Sequence, residues 1–305
     1  MNYGEILGTA WKVFWKYKVL WLVGILPYLL YCLGVLGSML LVPGFPSMDP
    51  EYLAERFAQD LSFFIPVVPL LVMLVSLLVF LVLLAYALAA NSLGVLKAEQ
   101  GAGGLRFGEL VGDTAPYFWR VLGLYALFFA AGAVIYLSVF GFMVVTVLAS
   151  AGFASLCVFP LMLLLLPLFL IAYVLAEQAK AAIIVEDLDM MSGLRRGWEI
   201  LKANFWGLVL MGLILYGGMY IVSLVAAIPL YAVMFVPLMT SFGGDSHQTF
   251  ESSFRLVMTI MMVVMPFYMI LQGLLAVYIR STWTLTYLRL TRPIQPLAPA
   301  ELPNA

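Results

Sequence analysis

Few residues in this chain could do chemistry, and those that could stand in short groups. Glu177, Gln178 and Lys180 end one long apolar run, and Arg280, Ser281 and Thr282 follow another. A carboxylate and a guanidinium at such places can pair in a low-dielectric interior, or reach out separately to lipid headgroups. Asn91 stands where Gln178 stands when the internal repeats described below are aligned. Asn91, Glu177, Gln178, Gln272 and Arg280 are therefore a candidate polar cluster, with Glu177 and Arg280 as its expected ion pair. Gln272 lies in the middle of the last apolar run, where its amide is expected to hydrogen-bond another helix or to mark a substrate path. Arg195, Arg196 and Lys202 are candidate contacts for anionic lipid headgroups, and serve equally as a basic anchor beside the membrane.

Catalytic chemistry finds little to work with. His247 is the only histidine and falls in the short stretch Thr240–Ser253, read as an outer loop, so no histidine dyad can be assembled among the apolar helices. There is no Gly-x-Ser-x-Gly elbow and no His-Glu-x-x-His pair. Gly101-Ala102-Gly103-Gly104 lacks the lysine and hydroxyl of a phosphate loop and reads as a linker. The acidic run Glu186-Asp187-Leu188-Asp189 lacks the spacing of a calcium loop and suits the approach to a helix start. Cys32 and Cys157 stand alone in apolar runs and imply neither a disulfide framework nor a metal site. No catalytic residue, cofactor, metal or nucleic-acid partner is expected.

The elements that must position these residues follow from hydropathy. The chain is 65% hydrophobic and 10% charged, with mean hydropathy +1.08, whereas a soluble domain is about 25% charged. Residues 19–48, 61–96, 121–176, 203–244 and 256–279 carry no Asp, Glu, Lys or Arg. Each run exceeds the ~20 residues that cross a hydrocarbon core as a helix. None alternates as a barrel strand does. The run 121–176 is long enough for two helices, with a turn at Ala149-Ser150-Ala151-Gly152, so the count is six. A seventh, from a break near Pro229 or Pro237, would weaken the charge asymmetry. With six helices and both termini in the cytoplasm, only Arg56 and Arg255 of the 15 Lys and Arg fall outside. All seven tryptophans then lie near cytoplasmic helix ends, where an indole suits the headgroup region. The first run is too long for a signal-peptide core and reads as a retained anchor.

The sequence also repeats itself. Tyr3-Gly4-Glu5-Ile6-Leu7-Gly8 precedes Phe14-Trp15-Lys16, and Phe107-Gly108-Glu109-Leu110-Val111-Gly112 precedes Phe118-Trp119-Arg120 at the same spacing. Gly193-Leu194-Arg195-Arg196-Gly197 precedes Phe205-Trp206 more loosely. The predicted architecture is all-α: six transmembrane helices as three pseudo-repeated hairpins, each introduced by an amphipathic interfacial helix. Residues 1–292 form one membrane domain with repeats at about 1–100, 101–190 and 191–292, followed by a proline-rich disordered tail at 293–305. In the first stub Tyr3, Ile6, Leu7, Ala10, Val13, Phe14 and Tyr17 share a face at helical period. In the second, Phe107, Leu110, Val111 and Phe118 do so, and Pro116 is expected in the first turn of the membrane helix. In the third, Leu194, Trp198, Leu201 and Phe205 do so, with Ser192 as the expected cap. The glycine pairs 4 and 8, 108 and 112, and 193 and 197 are expected to let helices approach closely. The third pair is offset by two residues, so its role can differ.

The Phe-Trp stubs, the stretch from Ile183-Ile184-Val185-Glu186 through Arg195-Arg196-Gly197-Trp198 to Asn204-Phe205-Trp206, and the six-helix layout resemble a known group. It is a bacterial six-helix membrane protein family that includes the membrane domain fused to some glycerophosphodiester phosphodiesterases. In the fused members catalysis belongs to a separate soluble domain, so no catalytic residue carries over to these positions. The resemblance implies a bacterial inner-membrane protein connected with lipids. Together these readings favour a non-catalytic module that organises membrane lipids or another membrane protein. The alternative is a transporter or lipid-translocating protein, since internal repeats are common in transporters; an enzyme ranks behind both.

Overall fold

A computed structural model describes residues 2–40, 64–149, 155–242 and 247–291. These residues form eight helices: α1 Tyr3–Lys16, α2 Val19–Leu40, α3 Phe64–Glu99, α4 Phe107–Ala149, α5 Ser155–Val185, α6 Met190–Ala203, α7 Phe205–Phe242 and α8 His247–Thr291. All but α1 and α6 contain a segment long and apolar enough to cross a membrane. Large side chains such as Leu78, Phe129 and Phe267 are exposed on those segments, a surface that hydrocarbon accommodates and water does not. The chain is a polytopic α-helical membrane protein with six membrane-spanning helices.

α7 runs unbroken through Pro229, so the run 203–244 holds one crossing. The stretch Thr240–Ser253, expected as a loop, is largely helical: α7 extends to Phe242 and α8 begins at His247. A helix satisfies its own backbone, so it can continue past the apolar segment. The acidic segment 49–60, the turn residues 150–152 and the tail 293–305 lie outside the described residues.

The stubs differ from one another. In α1, Asn2 caps the N-terminus by accepting from the Glu5 amide, and Ile6, Ala10, Val13 and Phe14 are buried as their spacing predicts. The second stub is not a separate element. It continues into the membrane segment as α4, and Pro116 sits inside that helix rather than in a first turn. Continuity spares the chain a second set of unsatisfied helix ends, which outweighs the one hydrogen bond that proline forfeits. α6 is separate, but its cap is Asp189 and not Ser192. The Asp189 carboxylate accepts from the Met191 and Ser192 amides at 3.1 and 3.3 Å. Bonds from Ser192, side chain first, hold that carboxyl below its usual range. Asp187 adopts a positive φ of 51°, which Asp tolerates better than most residues, and so turns the chain sharply between α5 and α6.

Of the three glycine pairs expected to let helices approach closely, one does so. A Cβ on Gly8, Gly108 or Gly112 would meet open space, and on Gly4 only the Asn2 side chain at 3.9 Å. On Gly193 it would fall 2.4 Å from Ile183, and on Gly197 2.7 Å from the Ala179 backbone nitrogen. Only the third pair therefore lets two helices, α6 and α5, touch backbone to side chain. The first two pairs lie on faces that no helix covers among the described residues.

Contacts divide the chain into two compact units. Unit 1 comprises Met1–Tyr17, Ala89–Leu213 and Tyr278–Ala305. Within it, residues 89–96 of α3, 176–184 of α5 and 279–288 of α8 are buried on every side. Unit 2 comprises Lys18–Leu88 and Ile214–Val277. There α2 meets α8 where a Cβ on Gly273 would fall 2.7 Å from Ile25 Cα, and meets α3 where a Cβ on Gly34 would overlap Ser76. Gln272 of α8 donates to the Ser223 hydroxyl of α7 at 3.0 Å, the interhelical bond its position predicted.

Candidate functional site

The buried segments of unit 1 carry an unusual load of polar side chains. Asn91 and Ser92 of α3, Glu177, Gln178 and Lys180 of α5, and Arg280, Ser281, Thr282, Thr284 and Thr286 of α8 are all buried. Asn91, Glu177, Gln178 and Arg280 of the expected cluster thus share one interior; Gln272 belongs to unit 2.

The carboxylate at the centre of this interior is more heavily engaged than expected. Glu177 Oε2 accepts from Lys180 Nζ at 2.5 Å, within the same helix. Its Oε1 accepts from the Tyr125 hydroxyl of α4 at 2.8 Å and from the Tyr173 hydroxyl at 2.9 Å. The ion-pair partner of Glu177 is therefore Lys180 and not Arg280, because an i,i+3 neighbour reaches it without any helix having to dock. Arg280 is near enough for its charge to act on both Glu177 and Lys180, yet it forms no ion pair among the described residues. The α3–α8 seam is hydroxylic. Ser281 Oγ donates to Asn91 Oδ1 at 3.3 Å, and Thr284 Oγ1 lies 3.0 Å from Ser92 Oγ. Tyr125, Tyr173, Ser92 and Thr284 were missed as site residues, and Lys180 was named beside Glu177 but not as its partner. The i,i+3 spacing of Glu177 and Lys180 was the one available signal.

A belt of ion pairs surrounds the α5–α6 turn. Arg120 donates to Asp187 at 2.8 Å and to the Leu188 carbonyl at 3.2 Å. Glu186 accepts from Arg196 at 3.3 Å and from the Tyr287 hydroxyl at 2.5 Å. The nearby Glu186 carboxylate is the main reason Arg196 binds its proton more tightly than usual, by its charge and then by its hydrogen bond, against a smaller opposing effect of burial. Together with the Asp189 cap, the three carboxylates of the acidic run diverge to three separate partners rather than converging on a cation.

The second candidate feature is a groove of about 420 Å³ on unit 1. Leu127, Phe128 and Ala131 of α4, Leu175 of α5, and Leu194, Arg195 and Trp198 of α6 line it. It exists because α6 folds back against both α5 and α4. Of the three basic residues expected at lipid headgroups, only Arg195 lines it. Arg196 is engaged by Glu186 and Glu199, and Lys202 lies over the Trp198 ring at 5.6 Å. Five tryptophans, at 11, 15, 119, 198 and 206, are exposed. Trp283, expected at the headgroup level with the others, is instead fully buried, with its ring near Gly212.

Fold and site together define a multi-pass helical membrane protein with a polar, charge-bearing interior and an apolar groove that Arg195 and Trp198 help to line. The chain matches no protein-family model, no curated protein and no solved structure.

Proposed function

We propose that this protein is a non-catalytic inner-membrane module that holds an anionic phospholipid against its α4–α5–α6 face, and so organises lipid around itself or around a membrane partner. The groove carries the proposal. Its walls at Leu127, Phe128, Ala131, Leu175 and Leu194 are apolar, as an acyl chain requires, and Arg195 and Trp198 also line it through apolar atoms. The Arg195 guanidinium, beyond that wall, is the proposed contact for a headgroup phosphate. Its volume lies within the ~300–1,000 Å³ of small-molecule sites. The family resemblance, with its link to glycerophospholipid chemistry, points the same way.

Arg195→Gln should lower the anionic lipid retained on purification about fivefold, the equivalent of ~1 kcal/mol per basic residue. Ala131→Trp should reduce all retained lipid by filling the groove. Lipid extraction and mass spectrometry of the two variants measure both effects, and unchanged lipid in both would remove the groove from consideration.

In this reading both termini and the tryptophan-bearing stubs face the cytoplasm, supported by the asymmetric distribution of lysine and arginine. A cysteine placed in segment 49–60, with Cys32 and Cys157 removed, should react with an impermeant maleimide in intact cells. Labelling only after lysis would reverse the orientation.

A specific observation favours a second reading, a transporter or lipid-translocating protein. Glu177, Lys180 and Arg280 are buried charges inside a membrane protein, and such charges often mark a substrate path. The groove is the stronger feature because it is already open to a ligand, so the module reading is preferred.

A further inference from the structure

We propose that the interior of unit 1 binds an oxyanion, phosphate-like in chemistry, through the Arg280 guanidinium. The site is distinct from the groove and does not depend on the lipid-organising reading.

Charge is the first argument. Glu177, Lys180 and Arg280 are the charged side chains buried among the described residues, two cations to one anion. Lys180 takes the Glu177 carboxylate, which two tyrosine hydroxyls already saturate on its other oxygen. Arg280, 6% exposed, is left without an ion pair among the described residues. A buried guanidinium cannot shed its proton to relieve this, so it calls for an anion.

Hydrogen bonding gives the second argument, independent of the first. Among the described residues of unit 1, the buried side-chain atoms without a partner are Arg280 Nη1, Asn91 Nδ2, Gln178 Nε2, Trp283 Nε1 and Gln178 Oε1. Four are donors and one is an acceptor. Internal water offers acceptors and donors alike, so it would relieve the donors only by creating new ones. A tetrahedral oxyanion offers acceptors and no obligatory donor, and a guanidinium fork matches its geometry. The helices that carry these atoms meet in the interior of unit 1. Asn91 is bonded to Ser281, the residue after Arg280, and Gln178 follows Glu177, on which the Arg280 charge acts. Trp283 lies one helical turn beyond Arg280.

The anion can be free in solution or carried by a lipid headgroup, and one experiment separates these sources. Full-length protein is stripped of lipid in detergent, and its thermal unfolding is followed against sodium phosphate, with sodium chloride at equal ionic strength as reference. A parallel titration uses dihexanoyl phosphatidylglycerol below its micellar concentration. A saturable rise in unfolding temperature with phosphate identifies a free anion; a rise with the lipid alone identifies a headgroup. Arg280→Gln should abolish whichever response is found, and Arg280→Lys should weaken it about tenfold to a hundredfold. If Arg280→Gln does not fold, the wild type and Arg280→Lys decide the matter, and equal affinity in those two overturns the site. Arg195→Gln keeps this site apart from the groove. A response lost in Arg195→Gln but kept in Arg280→Gln assigns the anion to the groove and overturns the interior site. No saturable response to either probe overturns it as well.

Discussion

Glu177→Gln is expected to destabilise the protein by about 3–5 kcal/mol, because it strands a fully buried lysine ammonium without its counter-charge. Lys180→Met should do comparable harm by stranding the carboxylate. Replacing both removes the stranded charge in either direction, so the double variant should lie closer to wild type than the sum of the singles predicts. Thermal unfolding of the purified protein in detergent, run as a double-mutant cycle, measures the coupling. The same cycle between Glu177→Gln and Arg280→Gln should return a smaller coupling, since Arg280 acts on Glu177 through its field and not through an ion pair. Simple additivity of Glu177→Gln and Lys180→Met would refute the pairing.

Gly197→Leu is the second large effect. Even a methyl group at this position would press on the Ala179 backbone at 2.7 and 2.9 Å, so α6 must lift away from α5. Overpacking of this kind costs about 1–3 kcal/mol, and backbone that cannot yield puts Gly197→Leu at or above the top of that range. Lifting α6 also dismantles the groove, so bound lipid should fall together with stability. Gly108→Leu and Gly112→Leu should stay within about 0.5 kcal/mol of wild type, because their faces are open and glycine is a poor helix former. Equal losses at positions 108, 112 and 197 in the same melting assay would show that the close approach at Gly197 is incidental.

These two variants also mark where the sequence could be read and where it could not. The six crossings follow from runs without charge, because hydrocarbon tolerates little else. The inward face of α1 follows from its period, and the Gln272 bond from the need of an amide in lipid for a partner. The glycine pairs could not be told apart in the same way. Spacing says that a helix face is bare, and only the fold says which face another helix covers; α6 covers α5 at Gly193 and Gly197, while among the described residues nothing covers Gly108. Pairing of Glu177 with Arg280 was inferred from matching positions in two repeats, yet Lys180, three residues away, was the nearer partner by helix geometry alone. The groove was invisible for a different reason. Leu127, Leu175 and Leu194 are ordinary apolar residues until α4, α5 and α6 bring them together.

The Glu177–Lys180 pair also bears on how the chain enters the bilayer. Opposite charges one turn apart on a single helix neutralise each other as soon as that helix forms, before any other segment has arrived. α5 can thus partition from the insertion machinery carrying its own counterion. Arg280 comes about a hundred residues later in synthesis with no such companion. Its burial must wait until the rest of the bundle, and whatever anion joins it, is there to receive it.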